Sequence, residues 1–211
     1  MITPDTQPRP LRADARRNRQ RVLEVARGCF ARDGMQAQID EIAAGAEVGV
    51  GTVYRHFPTK EALLDALAED YFTSQALAAE EALQQSLEDP WRAFTGYMRG
   101  GAALMAENRA LAQIASDRPA TMQRAAEQAQ AETGFFDTLE TLIDRAQDAG
   151  ALRRDFQLED VPAIMCSLGS LNNTKGEYAN WRRLLELILD GLRAPGSGEL
   201  PPHFTAIPRG R

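Results

Sequence analysis

Apolar positions recur along this chain at three- and four-residue steps, the spacing of one face of an α-helix. Over residues 14–32, Val22, Val25, Ala26, Cys29 and Phe30 form one apolar stripe opposite a row of arginines, and Asp33-Gly34 supplies a helix stop. Ile39, Ile42, Ala43 and Ala46 make a second stripe of two turns. After Glu47-Val48-Gly49 a third short helix covers residues 50–56, halted by Pro58. Thr59 caps a fourth helix, with Glu61 at its positive end and Leu63, Leu64, Leu67, Tyr71 and Phe72 on its apolar face, reaching about residue 87. Asp89-Pro90 is another start signal, with proline where its missing N–H costs nothing, and Trp91, Phe94, Tyr97, Met98, Leu104 and Met105 follow. A long helix is predicted over 119–149, closed by Gly150, and two more over 158–173 and 178–193. No stretch alternates with period two, so the expected fold class is all-α.

The pattern divides the chain into a basic, flexible arm (residues 1–13), a small helical unit (14–59), a larger helical body (60–194) and a Pro/Gly-rich tail (195–211) expected to be disordered or loosely laid on the surface. Composition is that of a soluble globular protein, 44% apolar and 26% charged. No apolar run approaches a membrane span and no secretory signal opens the chain, so no membrane partner and a cytoplasmic location are expected. Cys29 and Cys166 both sit among apolar residues and are predicted to be buried free thiols.

Charge changes the picture more than composition does. Net charge is −6, yet residues 1–60 hold 10 Lys/Arg against 7 Asp/Glu, while the remainder holds 14 against 23. Six arginines (Arg9, Arg12, Arg16, Arg17, Arg19, Arg21) crowd the start. Such asymmetry suits either a phosphate-facing end on an acidic body or a solvated helix face.

The stretch Ile39 to Lys60, IDEIAAGAEVGVGTVYRHFPTK, resolves that choice. Two short helices joined by a turn of about three residues form a helix-turn-helix, whose second helix can enter a DNA major groove. Ile42, Ala43, Ala46, Val48, Val53 and Phe57 supply the apolar wedge. Opposite them project Val50, Gly51, Tyr54 and Arg55, a face without carboxylates, and Thr52, His56 and Lys60 add hydroxylic or basic tips.

GVGTVYRHFPTKEALL resembles the recognition-helix signature of the TetR/AcrR family of bacterial regulators, and the arginine-rich first helix ending in CFARDG fits the same pattern. The close likeness covers about residues 14–70; beyond it, helix order and the ending WRRLLELILDGL agree more loosely. The resemblance implies a homodimer of about nine helices per subunit, located at the bacterial nucleoid. It would bind a palindromic double-stranded DNA operator as a repressor and be released by a small-molecule effector. It also implies phosphate contacts from Thr52, Tyr54, His56 and Lys60, base-edge contacts from Val50, Gly51, Arg55 and the Tyr54 ring, and a DNA-binding position at Gln38. Two positions depart from the family: Gln38 stands where Thr or Ser caps the second helix, and Glu47 replaces a turn glycine.

In the body, Phe72, Trp91, Phe94, Met98, Met105, Phe135, Phe136 and Leu139 suit either a plain core or the lining of an apolar effector cavity. Val161, Ile164, Met165 and Leu168, with Trp181, Leu184, Leu185, Ile188 and Leu192, are candidates for a dimer interface or for packing within one subunit. Leu187 and Leu189 lie off the last stripe, and Asn172 and Asn173 could orient a ligand or end a helix. No cluster has metal-ligand spacing and no phosphate loop or nucleophile elbow occurs, so no cofactor and no enzymatic activity are expected. The alternative reading is a small-molecule-binding helical protein whose DNA binding is weak or vestigial.

Overall fold

The computed structural model describes residues 9–171, 180–195, 198 and 200–201. Ten α-helices occur among them: α1 (Arg9–Asp33), α2 (Ile39–Gly45), α3 (Val50–His56), α4 (Lys60–Gln85), α5 (Pro90–Glu107), α6 (Arg109–Asp117), α7 (Pro119–Thr133), α8 (Phe135–Asp148), α9 (Asp160–Leu171) and α10 (Trp181–Gly191). A 3-10 turn, Gly34–Gln36, joins α1 to α2. Among the described residues no helix is long and apolar enough to cross a membrane, and no group of His, Cys, Asp and Glu is placed to hold a metal.

The predicted start signals work as their chemistry requires. Thr59 Oγ1 accepts from the Ala62 amide at 3.1 Å and Asp89 Oδ1 from Arg92 at 2.9 Å, each satisfying a donor that the first helical turn leaves open. Elsewhere the pattern ran past real boundaries. The helix predicted over 119–149 is two, because Gly134 adopts φ 68° and ends α7 before α8 begins. Between Met105 and residue 119, where the sequence pattern named no element, the Asn108 side chain accepts from the amides of Ala110 and Leu111, at 3.1 Å each, and so starts α6. Helix α1 runs from Arg9, within the stretch expected as a basic arm. Asn172 and Asn173 lie outside the described residues.

The tail is tied down where it is described. Ala194 N donates to Ala151 O at 3.1 Å, Leu200 N to Asp155 Oδ2 at 2.8 Å, and the Arg153 guanidinium to Gly198 O. Arg153 and Asp155 are themselves paired, which with the Leu200 bond holds the Asp155 carboxyl well below the usual range.

Two apolar cores stack along the molecule. The head core joins α1, α2 and α3 to the first turns of α4 and includes Ala110 and Ile114 of α6; the body core collects α4, α5 and α7–α10. A small cluster of Tyr71, Met105 and Leu111 lies apart from both. Helix α4 therefore belongs to head and body together, and α6, far along the chain, completes the head core, although the sequence pattern put a boundary at residue 60.

Burial also redistributes the candidate body residues. Val161, Met165, Leu168, Leu185 and Leu192 are buried within the subunit. Ile164, Trp181, Leu184 and Ile188 are half-buried, and Leu187, off the predicted stripe, is exposed. Cys29 is buried as expected, but Cys166 is exposed: on α9 it faces away from Val161, Met165 and Leu168, which turn inward. The aromatic positions pack on one another, with Phe72 on Phe135 at 6.0 Å, Trp91 on Phe94 at 6.0 Å and Phe135 on Phe136 at 5.4 Å between ring centroids. Phe94, Met98, Met105, Phe135 and Leu139 are buried, and Phe72, Trp91 and Phe136 partly so.

Candidate nucleic-acid interface

The wedge predicted between α2 and α3 is present. Ile42, Ala43, Ala46, Val53 and Phe57 are all buried in the head core, which fixes the angle between the two short helices. A further small residue was missed: a Cβ on Gly45 would stand 2.7 Å from Val25 Cγ1, so any side chain there would push Val25 or α2 aside. A glycine in the last turn of a short helix, facing a valine stripe, was the available signal.

The turn into α3 carries strain. Glu47 adopts φ 54°, a left-handed conformation that glycine takes freely and a Cβ disfavours. Its carboxylate lies 3.8 Å from Arg21, with both side chains well exposed. Gly49 then caps α3, its carbonyl accepting from Thr52 and Val53.

On α3, Gly51, Tyr54 and Arg55 are exposed, Val50, Thr52 and His56 are half-buried, and Val53 faces inward. A Cβ on Gly51 would meet no heavy atom within 4 Å. Nothing inside the subunit asks for glycine there, in contrast to Gly45; the space it leaves lies outward, beside Tyr54 and Arg55. No carboxylate projects from this face.

His56 closes the helix. Its Nε2 is buried without a hydrogen-bond partner, and its ring stands 6.5 Å from that of Phe57. Burial, aided by the nearby Arg55 and Arg19 charges, pushes its pKa down, so the imidazole is neutral at pH 7. Arg19 lies over the Phe57 ring at 5.0 Å, which fastens the basic face of α1 beside the end of α3. That arginine was legible only as one of a row.

Gln38 and Lys60 behave differently from the remaining candidates. Gln38 precedes α2 without capping it; its amide nitrogen donates to Gln36 O at 2.8 Å, and Asp40 and Glu41 favour the helix start instead. The Lys60 ammonium turns inward, donating to Met35 O at 2.7 Å and Ala37 O at 2.8 Å and lying 5.7 Å from the Phe30 ring. Two of its three N–H donors thus hold the 3-10 turn against α4, leaving one for an outside anion.

A short second helix with an open, carboxylate-free face, set at a fixed angle by a buried wedge and flanked by arginines, defines a helix-turn-helix DNA-binding regulator. Residues 22–67 match the family described as bacterial regulatory proteins, tetR family, and residues 89–194 match the transcriptional regulator SbtR-like C-terminal domain. The solved TetR transcription regulatory protein from Mycobacterium vanbaalenii is 39% identical, with a TM-score of 0.63 over 87% of this chain and 99% of that one. A TetR transcriptional regulator from Streptomyces coelicolor is 27% identical, with a TM-score of 0.58 over 83% and 98% of the two chains. An HTH-type transcriptional regulator of Staphylococcus aureus (strain USA300) is 41% identical over 54 residues, 25% of this chain and 29% of that relative. The chain belongs to the TetR family of transcriptional regulators.

Proposed function

We propose that this regulator binds a palindromic operator as a homodimer, acts as a repressor, and is released by a small, largely apolar ligand. The observation that carries the DNA reading is the outward face of α3, where Gly51 leaves empty space between Val50, Tyr54 and Arg55. Arg55 reads guanine through its two-pronged guanidinium, and Thr52, Tyr54 and His56 hold phosphates, with the spare Lys60 donor beside them. Gln38 adds at most a side-chain amide from the start of α2.

Two-fold symmetry follows from the need to place two recognition helices about 34–36 Å apart on one face of the duplex. The apolar surface left on α9 and α10, namely Ile164, Trp181, Leu184, Leu187 and Ile188, supports a four-helix interface between subunits. The aromatic and methionine positions of the body, Phe72, Trp91, Phe94, Met98, Met105, Phe135, Phe136 and Leu139, form the apolar surroundings of the effector. A cytoplasmic, nucleoid-bound protein is the corresponding location.

Gel shift and anisotropy titrations against the DNA upstream of the chain's own gene test the reading. Affinity should fall steeply with salt as condensed counterions are released, and Arg55→Ala should lose about 1–3 kcal/mol of discrimination at one base pair. A flat salt response, or binding untouched by Arg55→Ala together with Tyr54→Ala, defeats it.

A further inference from the structure

Three polar side chains line the same stretch of α4 and α5 inside the body. Tyr71 and Gln75 lie one turn apart on α4, and Tyr97 and Gly101 one turn apart on α5. A Cβ on Gly101 would stand 3.0 Å from Gln75 Oε1 and 3.5 Å from Met165 Cε and Sδ, so the Gln75 carboxamide occupies the seam of α4, α5 and α9. Tyr71 belongs to the small cluster with Met105 and Leu111 and Tyr97 to the body core, and Phe72 packs against both. Gln75 is 3% exposed and both tyrosines 7%. Among the described residues, no hydrogen bond reaches the carboxamide or either hydroxyl, and their polar atoms keep a narrow access to solvent, unlike the sealed His56 Nε2.

Polar groups this deep in a fold usually have a partner within it. Three without one, reached only narrowly by solvent and bordered by Met165, Met105 and the Phe72 ring, offer donors and acceptors to a molecule from outside. Burial raises both phenol pKa values, so each keeps its proton and can donate as well as accept. None of these groups carries a charge, and an ion placed here would be desolvated without a counter-charge.

We propose that Tyr71, Gln75 and Tyr97 are the polar reading end of the effector site, and that the effector is an uncharged molecule bearing hydroxyl or carbonyl groups on an apolar body. This rests on the ligand-release reading above and names the chemistry of its ligand. The apolar positions of the body grip the carbon skeleton; these three groups choose among skeletons by their oxygen pattern, the more selective task because a wrong partner leaves a buried group unpaired.

Two measurements on the full chain test it. In the first, Gln75→Leu, Tyr71→Phe and Tyr97→Phe are melted without ligand. Groups kept for a ligand leave Tm unchanged or raised, whereas groups bonded within the fold lower it by about 2–4 °C apiece. A consistent fall overturns the proposal. In the second, calorimetry compares resorcinol and cyclohexanone, a neutral diol and ketone, with benzoate and cyclohexylammonium. The neutral pair should bind at millimolar affinity or better. The ions should bind at least about tenfold more weakly, and Gln75→Leu or Tyr97→Phe should weaken the neutral pair about tenfold. Tighter binding of either ion, no neutral binding, or neutral binding indifferent to the variants overturns it. A gel shift separates the two readings. Neutral binding without any DNA complex removes the regulator reading and leaves this ligand class standing. A DNA complex dissolved by benzoate but not by resorcinol does the reverse.

Discussion

Replacing Glu47 by glycine should stabilise the head and tighten its grip on DNA. The residue holds φ 54° at the turn into the recognition helix, a conformation costing a residue with a Cβ about 1–2 kcal/mol. Glycine removes that cost but brings about 0.5–1 kcal/mol of extra chain entropy to the unfolded state. It also removes the ion pair with Arg21, which spans 3.8 Å between side chains 49% and 84% exposed. Pairs of that kind contribute about 0–1 kcal/mol, at the low end when this open. The balance is a gain of about 0.5–1 kcal/mol, or about 1–4 °C in Tm for a chain of this size. Circular-dichroism melts of Glu47→Gly, Glu47→Asn and Glu47→Ala check the order. Asparagine tolerates the left-handed region and should approach glycine; alanine drops the charge, keeps the Cβ and should gain nothing. If alanine stabilises as much as glycine, the strain argument is wrong and the charge was the cause. On DNA, Glu47→Gly and Glu47→Ala should both raise affinity at low salt, because each frees Arg21 and removes a carboxylate facing phosphates.

Three other outcomes follow from the same geometry. Gly45→Ala should destabilise the fold by about 1–3 kcal/mol, because its Cβ would press on Val25 at 2.7 Å; Gly51→Ala, with open space around it, should keep or raise Tm while weakening operator binding, a contrast read by melting and gel shift side by side. Lys60→Met should lower stability by about 1–3 kcal/mol even without DNA, since the Met35 and Ala37 carbonyls would be left without their shared donor; urea titration would show it, and an unchanged midpoint would mean that Lys60 serves only the phosphates. His56 has its pKa lowered in the fold, so the neutral ring contributes stability that is complete above the unfolded value near 6.5 and is lost as pH falls below it; melts across that range should show a slope that His56→Gln abolishes.

The head was legible because each of its requirements is local. The wedge of Ile42, Ala43, Ala46, Val53 and Phe57 recurs at helical spacing, and Thr59 and Asp89-Pro90 announce their helices through side chains next to the amides they cap. What escaped depends on partners distant in sequence, or on a break hidden inside a continuing pattern. Helix α6 was not named at all, although asparagine is a strong capping residue and Asn108 stands at its start. Gly134 hid within an otherwise helical run. Lys60 turns inward because a 3-10 turn some twenty-five residues earlier presents two carbonyls, and no periodicity reports that. Cys166 points outward despite apolar neighbours, since Met165 and Leu168 take the inward side of α9. Gln75 is a lone polar residue on a long helix; only the arrival of Gly101 and Met165 gives it meaning.

The part that α6 takes in the head core bears on how the molecule comes apart. Ala110 and Ile114 sit in the head's interior, Gln113 Oε1 accepts the Met35 amide at 2.8 Å, and Arg109 donates to Arg32 O at 3.1 Å. A fragment cut at residue 60 would therefore lack part of its own interior, and the DNA-reading helices would be without the floor they rest on. Reader and sensor should melt in a single transition, and grafting this head onto an unrelated body would require carrying α6 with it, because the natural seam of the molecule does not coincide with any one point along its chain.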